Sequence, residues 1–186
     1  TPLAGYLALL RKGSLGPLSE KQLKCVETMR RSVDRLQQQI DNLTDLAHLE
    51  GGESVAARAP VDPATVVERA VAACAEAIAE RRIDLRKAVI EDGVESLDER
   101  MLARALAHML DNAVKFSAVG ASVRIEGARD DDGDLFFSVL DSGVGIPPEF
   151  VTRVFEPFQQ VDGTATRKFG GAGLGLAIVR HVANAH

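Results

Sequence analysis

Asp141-Ser-Gly-Val-Gly-Ile-Pro147 follows directly on the run Leu135-Phe-Phe-Ser-Val-Leu140. The run is β-branched and aromatic, so Leu135 to Asp141 reads as a strand that ends in a carboxylate. Glycines two and four residues on allow positive φ and a close approach of backbone to a flat ligand. A carboxylate in that place can accept hydrogen bonds from an exocyclic amine such as that of adenine. A plain Asp-Ser-Gly turn accounts for the same residues when they are taken alone.

Upstream, Asp130-Asp-Asp-Gly133 supplies a turn back to Ser122–Ala128, so the two strands form a hairpin. Before them, Asp98 starts a helix running to about Phe116, with Leu102, Leu106, Met109, Leu110 and Ala113 on its apolar face. His108, Asn112 and Lys115 fall at i, i+4 and i+7, a polar stripe on the same helix. An amide oxygen suits Mg²⁺, which keeps several waters and bridges phosphates, and a lysine can meet phosphate as a point charge. A solvated helix face would look the same.

Downstream, Pro147 to Val154 reads as a short helix, and Val161 to Ala172, rich in Gly and Thr, as a mobile loop. Gly170-Gly-Ala-Gly-Leu-Gly175 then runs into a final helix, Leu174 to Ala183. Free N–H groups and the helix dipole suit phosphate there; a flexible linker ending in a helix cap is the plainer alternative. No Gly-Lys dipeptide exists, so there is no P-loop, and no glycine triplet has the dinucleotide spacing.

The middle of the chain alternates strand and helix patterns. Arg58–Val61 and Arg86–Ile90 read as strands. Asp62-Pro63 opens an Ala-rich helix reaching about Glu80, with aspartate as cap and proline at the first helical position.

The first fifty residues are different. Thr1 to Lys12 reads as a short helix, Gly13–Leu18 carries breakers, and Ser19 can cap a second helix. In it Val26, Met29, Val33, Leu36, Ile40, Leu43 and Ala47 alternate at spacings of three and four, a coiled-coil seam. Gly51-Gly52 ends it. The second helix is roughly 46 Å long at 1.5 Å per residue, and the first is much shorter. The seam from Val33 to Leu49 therefore has no partner within the hairpin. A four-helix bundle made by two chains would cover it, as would additional residues on the first helix.

Composition narrows the function classes. The 186 residues carry a net charge of −5, with 46% hydrophobic and 26% charged residues. This is globular chemistry, and its sign weighs against nucleic acid or an anionic membrane as partner. No apolar run approaches the roughly 20 residues of a membrane span, and there is no signal-peptide pattern. Cys25 and Cys74 lie far apart in apolar helical patterns and read as core residues of a reducing, cytoplasmic compartment. Trp is absent and Tyr occurs once, which disfavours base-stacking platforms.

Together and in this order the segments closely resemble the sensor histidine kinases of bacterial two-component systems. Asn112 sits in what resembles the N box, Asp141–Pro147 in the first G box, Phe155-Glu-Pro-Phe158 in the F box, and Gly171-Ala-Gly-Leu-Gly175 in the second G box. Thr1-Pro2-Leu3 is similar to the tail of the His-Glu-x-x-Thr-Pro-Leu motif of the dimerisation and phosphotransfer hairpin, and residues 19–50 to its second helix.

The resemblance implies a helical hairpin over residues 1–50, dimeric as a four-helix bundle, followed by an α/β sandwich of the histidine-kinase ATPase (Bergerat) type over residues 58–186. That sandwich would have one mixed sheet with helices on one face. It implies ATP and Mg²⁺ as ligands, with Asn112 on the metal, Lys115 on phosphate and Phe116 near the adenine. Asp141 would accept from the adenine amine, with Gly143, Gly145, Ile146 and Phe158 shaping the pocket. Arg167 and Lys168 would lie on a lid, and Gly171, Gly173, Leu174 and Gly175 would approach the triphosphate. The partners implied are a second copy of the chain and the receiver domain of a response regulator.

Three departures stand out. The acceptor histidine would lie four residues before Thr1, and none of His48, His108, His181 or His186 has its acidic-x-x-Thr-Pro context. The 186-residue chain is therefore expected not to phosphorylate itself, and Thr1, at the position that orients water for regulator dephosphorylation, has a weak role without it. His108 stands where the family commonly has a second asparagine. The chain also stops at Ala183-Asn-Ala-His186, where the family continues into further strands, so both ends read as cut. The alternative functions are a degenerate, non-catalytic nucleotide-binding dimer and a gyrase- or chaperone-type ATPase. The latter leaves the Thr-Pro-Leu and heptad hairpin unexplained.

Overall fold

The computed structural model describes residues 2–50, 56–89, 93–161 and 173–186. The chain folds as two compact units, one up to Asp45 and one from Leu46 onward.

The first unit is helical. Helix α1 spans Pro2–Arg11 and α2 spans Glu20–Glu50. Ser19 caps α2 as its position predicts. The Gln22 side chain accepts from the Ser19 N–H at 2.9 Å, and Ser19 Oγ accepts from the Gln22 N–H at 3.4 Å. This reciprocal pair satisfies two of the N–H groups that a helix start leaves open. Leu7 and Val26 are buried, whereas Met29, Leu36, Ile40 and Leu43 are all more than half exposed. The seam is thus uncovered within a single chain. Cys25, read from sequence as a core residue, is exposed. Its neighbour Val26 is buried, and successive residues of a helix point about 100° apart, so Cys25 turns to another face.

The second unit opens with β1 (Ala59–Val61), α3 (Pro63–Ala73) and α4 (Ala75–Glu80). Asp62 caps α3 through its side chain, 2.9 Å from the Ala64 N–H. The single helix expected over 63–80 is broken at Cys74, whose N–H bonds back to Val71 O while its thiol turns to Ala107 O at 3.5 Å. Strand β2 follows (Asp84–Val89), then β3 (Glu95–Leu97) and α5 (Glu99–Phe116). The remaining elements are β4 (Ser122–Arg129), β5 (Leu135–Leu140) and α6 (Gly175–Ala185). The helix expected over 147–154 contracts to one 3₁₀ turn, Pro148–Phe150. The loop expected over 161–172 lies, but for Val161, outside the described residues.

Among the described residues the strands form two sheets rather than the one expected. β1 pairs antiparallel with β3, a strand too short to announce itself in sequence. β4 is central in the other, parallel to β2 and antiparallel to β5. Residues alternate along β4, with Val123 and Ile125 fully buried and Arg124 exposed. Onto this face pack Val66, Val67 and Ala70 of α3 and Leu106, Leu110, Ala113 and Val114 of α5. A smaller cluster joins Ala105 of α5 to Ile178 and Val182 of α6. Helix α5 is therefore gripped from both sides.

Both ends of α5 are tied. Asp98 caps its start, accepting from the Met101 N–H at 3.0 Å and, with its other oxygen, from the Ala57 N–H at 2.9 Å. The Asp98 N–H donates to His186 Nε2, and Arg58 donates to the Ala185 and His186 carbonyls that end α6. At the far end, Arg81 donates to the Ser117 carbonyl at 2.6 Å. Basic side chains thus satisfy the terminal carbonyls that helices leave open.

Candidate functional site

Helix α5 organises the site. Its C-terminal residue Phe116 lies against the segment after β5: a Cβ added to Gly143 would stand 2.8 Å from the Phe116 carbonyl oxygen and 2.8 Å from Asp141 Oδ1. Only glycine fits there. The Gly143 N–H donates to Asp141 Oδ1 at 2.7 Å, which fixes the carboxylate at the strand's end. Asp141 is exposed, and its second oxygen has no partner among the described residues. Gly145 takes φ +71° with nothing near its missing side chain, so its freedom serves the turn and not a contact. Ile146 is half exposed beside it.

The Gly-rich segment closes on two other parts of the chain. The Phe158 N–H donates to the Gly173 carbonyl at 3.0 Å. A Cβ at Gly173, whose φ is +69°, would stand 2.6 Å from the Gln159 carbonyl oxygen. Phe158 itself takes φ +63° and is 63% exposed, an outlier for an aromatic residue. Leu174 is buried under the start of α6. A Cβ at Gly175 would lie 3.4–3.5 Å from the imidazole Nδ1, Cγ and Cβ of His108. Three segments far apart in sequence thus meet along one helix.

The polar stripe of α5 is only partly open. Asn112 and Lys115 are half-buried, and Lys115 Nζ forms an ion pair with Asp111, one turn earlier. Sequence reading assigned Lys115 to phosphate and gave Asp111 no role; the i, i+4 spacing was the available signal. His108 is buried, and its Nε2 has no partner among the described residues. Burial first, then the charge of Arg104, pushes its pKa down to about 4, with Asp111 opposing and Lys115 adding slightly. The ring is neutral at physiological pH. On the opposite side Cys74 is pushed up to about 12 by burial and by the Asp111 charge, which makes it an inert core thiol.

Among the described residues no three His, Cys, Asp or Glu side chains gather to hold a metal. The Asn112 amide and the orphaned His108 nitrogen are nonetheless donors of the kind a divalent ion takes when phosphate oxygens complete its shell. Of the residues assigned from sequence, the structure brings Phe116 to Gly143 and Asp141, and Phe158 to Gly173. Asn112 and Lys115 share a helix with Phe116, and Leu174 and Gly175 begin α6. Thr1, Arg167, Lys168 and Gly171 lie outside the described residues.

Comparison with known proteins finds two family models along the chain. The family model of the His Kinase A (phospho-acceptor) domain matches residues 1–52. That of the histidine kinase-, DNA gyrase B- and HSP90-like ATPases matches residues 97–186. The chain is 34% identical over 188 residues to the sensor-like histidine kinase SenX3 of Mycobacterium tuberculosis, covering all of this chain and 45% of that protein. It is 29% identical over 192 residues to the circadian input-output histidine kinase CikA of Synechococcus elongatus, covering 25% of it. The chain therefore spans less than half the length of these relatives. Among solved structures it resembles full-length ShkA in complex with AMPPNP, with a TM-score of 0.75, 31% identity, and coverage of 99% of this chain and 38% of that one. It also resembles the mycobacterial sensor histidine kinase MprB, with a TM-score of 0.57, 32% identity, and coverage of 69% of this chain and 80% of that one.

Proposed function

Because the chain belongs to the sensor histidine kinases of two-component systems, we propose that residues 58–186 bind ATP and deliver its γ-phosphoryl group to a histidine of a dimeric hairpin that includes residues 1–50. The phosphoryl group would pass from there to an aspartate of a response regulator. The observation that carries this reading is the convergence on α5: Phe116 against Gly143 and Asp141, and His108 against Gly175. The two segments assigned to base and to phosphate are thereby both held against one helix.

In this arrangement Asp141 accepts the adenine amine through the oxygen that Gly143 leaves free. Phe116, Ile146 and Phe158 offer apolar surface to the base. Gly173 and Gly175 keep the backbone before α6 clear for phosphate, and the α6 dipole favours negative charge there. Lys115 would contribute its charge on release from Asp111, and Arg167, Lys168 and Gly171, outside the described residues, are assigned to the phosphates on the family pattern alone. Asn112 would hold Mg²⁺, which supplies charge neutralisation on the phosphates. The protein's own share is positioning and electrostatics, since phosphoryl transfer needs little covalent chemistry from it. None of His108, His181 and His186 is the acceptor, for all three lie on or at the ends of the helices that build the nucleotide unit. No helix among the described residues is long and apolar enough to cross a membrane, and we place this portion in the cytoplasm, where ATP and regulator are found.

The test is calorimetric titration of the chain with a non-hydrolysable ATP analogue. Wild type should bind, and Asp141→Asn should lose most of the affinity, because an amide presents a donor where the base needs an acceptor. Equal affinities would contradict the assignment of the pocket. The 186-residue chain should acquire no acid-labile phosphate from ATP, whereas a longer chain that places a His-acidic-x-x sequence before Thr1 should. A longer chain that binds ATP without labelling would favour the degenerate module.

A further inference from the structure

His108 is buried on the polar stripe of α5, and the function proposed above leaves its imidazole without a task. Its Nε2 has no partner among the described residues, and such orphans among buried side chains call for an explanation, a missing ion included. The ring lies beside Gly175, where the Gly-rich segment enters α6. Asn112 follows one turn later, and side chains at i and i+4 of a helix are close enough to share one ion. A neutral imidazole offers a lone pair to an ion without loss of a proton. Neutral imidazole binds Co²⁺ better than Mn²⁺, and either better than Mg²⁺, which takes oxygen.

We propose that His108 is a specificity-determining residue that moves the divalent-ion preference of the nucleotide site from Mg²⁺ toward Mn²⁺ and Co²⁺. This rests on the nucleotide-site reading above, because phosphate oxygens must supply the ligands that the chain does not. An amide at position 108 would leave an all-oxygen site; the imidazole makes it mixed.

The experiment is titration of the full chain with a non-hydrolysable ATP analogue in Mg²⁺, Mn²⁺ or Co²⁺, for wild type and His108→Asn. The ratio of the Mn²⁺ to the Mg²⁺ affinity should fall at least about tenfold in the variant. Pulsed electron paramagnetic resonance of the wild-type Mn²⁺–nucleotide complex should show hyperfine coupling to a ring nitrogen, which His108→Asn removes. The wild-type spectrum decides the matter by itself should the variant fail to fold. Binding with the same ion preference in both proteins and no nitrogen coupling overturns this inference and leaves the nucleotide site standing. Absence of binding with every ion overturns the site and the inference together.

Discussion

Replacing Gly143 by alanine tests the contact on which the site depends. The added methyl would stand 2.8 Å from the Phe116 carbonyl oxygen, 2.8 Å from Asp141 Oδ1 and 3.0 Å from the Phe116 carbonyl carbon. Each of these is tighter than ordinary van der Waals contact, so something must move. The helix end is the stiffer wall, because Arg81 holds the next carbonyl at 2.6 Å. The Asp141 side chain can turn away, and it then gives up its 2.7 Å bond from the Gly143 N–H. Overpacking of this kind costs about 1–3 kcal/mol. Loss of about 2 kcal/mol from nucleotide binding corresponds to roughly 30-fold in Kd. Gly145→Asn is the matched control. It stands at φ +71° in open space, and asparagine tolerates that conformation, so affinity should change by less than about threefold. Calorimetry with an ATP analogue, beside urea unfolding of the same samples, separates lost binding from lost fold. Wild-type affinity together with an unchanged urea midpoint in Gly143→Ala would refute the steric argument.

Three further outcomes are expected. The chain should sediment as a dimer at micromolar concentration through the exposed seam of α2, and Leu36→Glu, by placing charge at that seam, should give a monomer; a wild-type monomer would sink the seam's assignment. His108 has a folded pKa of about 4 against an ordinary 6.5. The unfolded chain therefore takes up the proton first as pH falls, and up to about 3 kcal/mol of stability, fully present above pH 6.5, drains away down to about pH 4. Urea midpoints of the metal-free protein between pH 7.5 and 4.5 should fall more steeply for wild type than for His108→Asn, and equal slopes would refute the burial of a neutral ring. Finally, iodoacetamide should alkylate exposed Cys25 readily and Cys74 only after unfolding, which mass spectrometry of the labelled peptides reads directly.

Local rules of the chain already specify most of the helices and the seam. Ser19, Asp62 and Asp98 mark helix starts because capping needs only neighbours within three residues. The seam of α2 is visible because the helical period repeats along the chain itself. The hairpin of β4 and β5 follows from alternation and a turn, and the Asn112, Asp141 and Gly171–Gly175 segments carry a family pattern. Other features depend on atoms distant in sequence. β3 has three residues and exists because β1 pairs with it. The helix from Pro63 breaks at Cys74, whose thiol turns to α5, and Cys25 stays exposed because it lies on a different face of α2 from its buried neighbour Val26. Sequence order could not reveal that Phe116 would exclude a side chain at Gly143, or that His108 would be buried beside Gly175 with an unpartnered nitrogen. Those are close approaches between backbone segments brought together by the packing of α5 between the sheet and α6, and steric exclusion and desolvation act only once that packing exists.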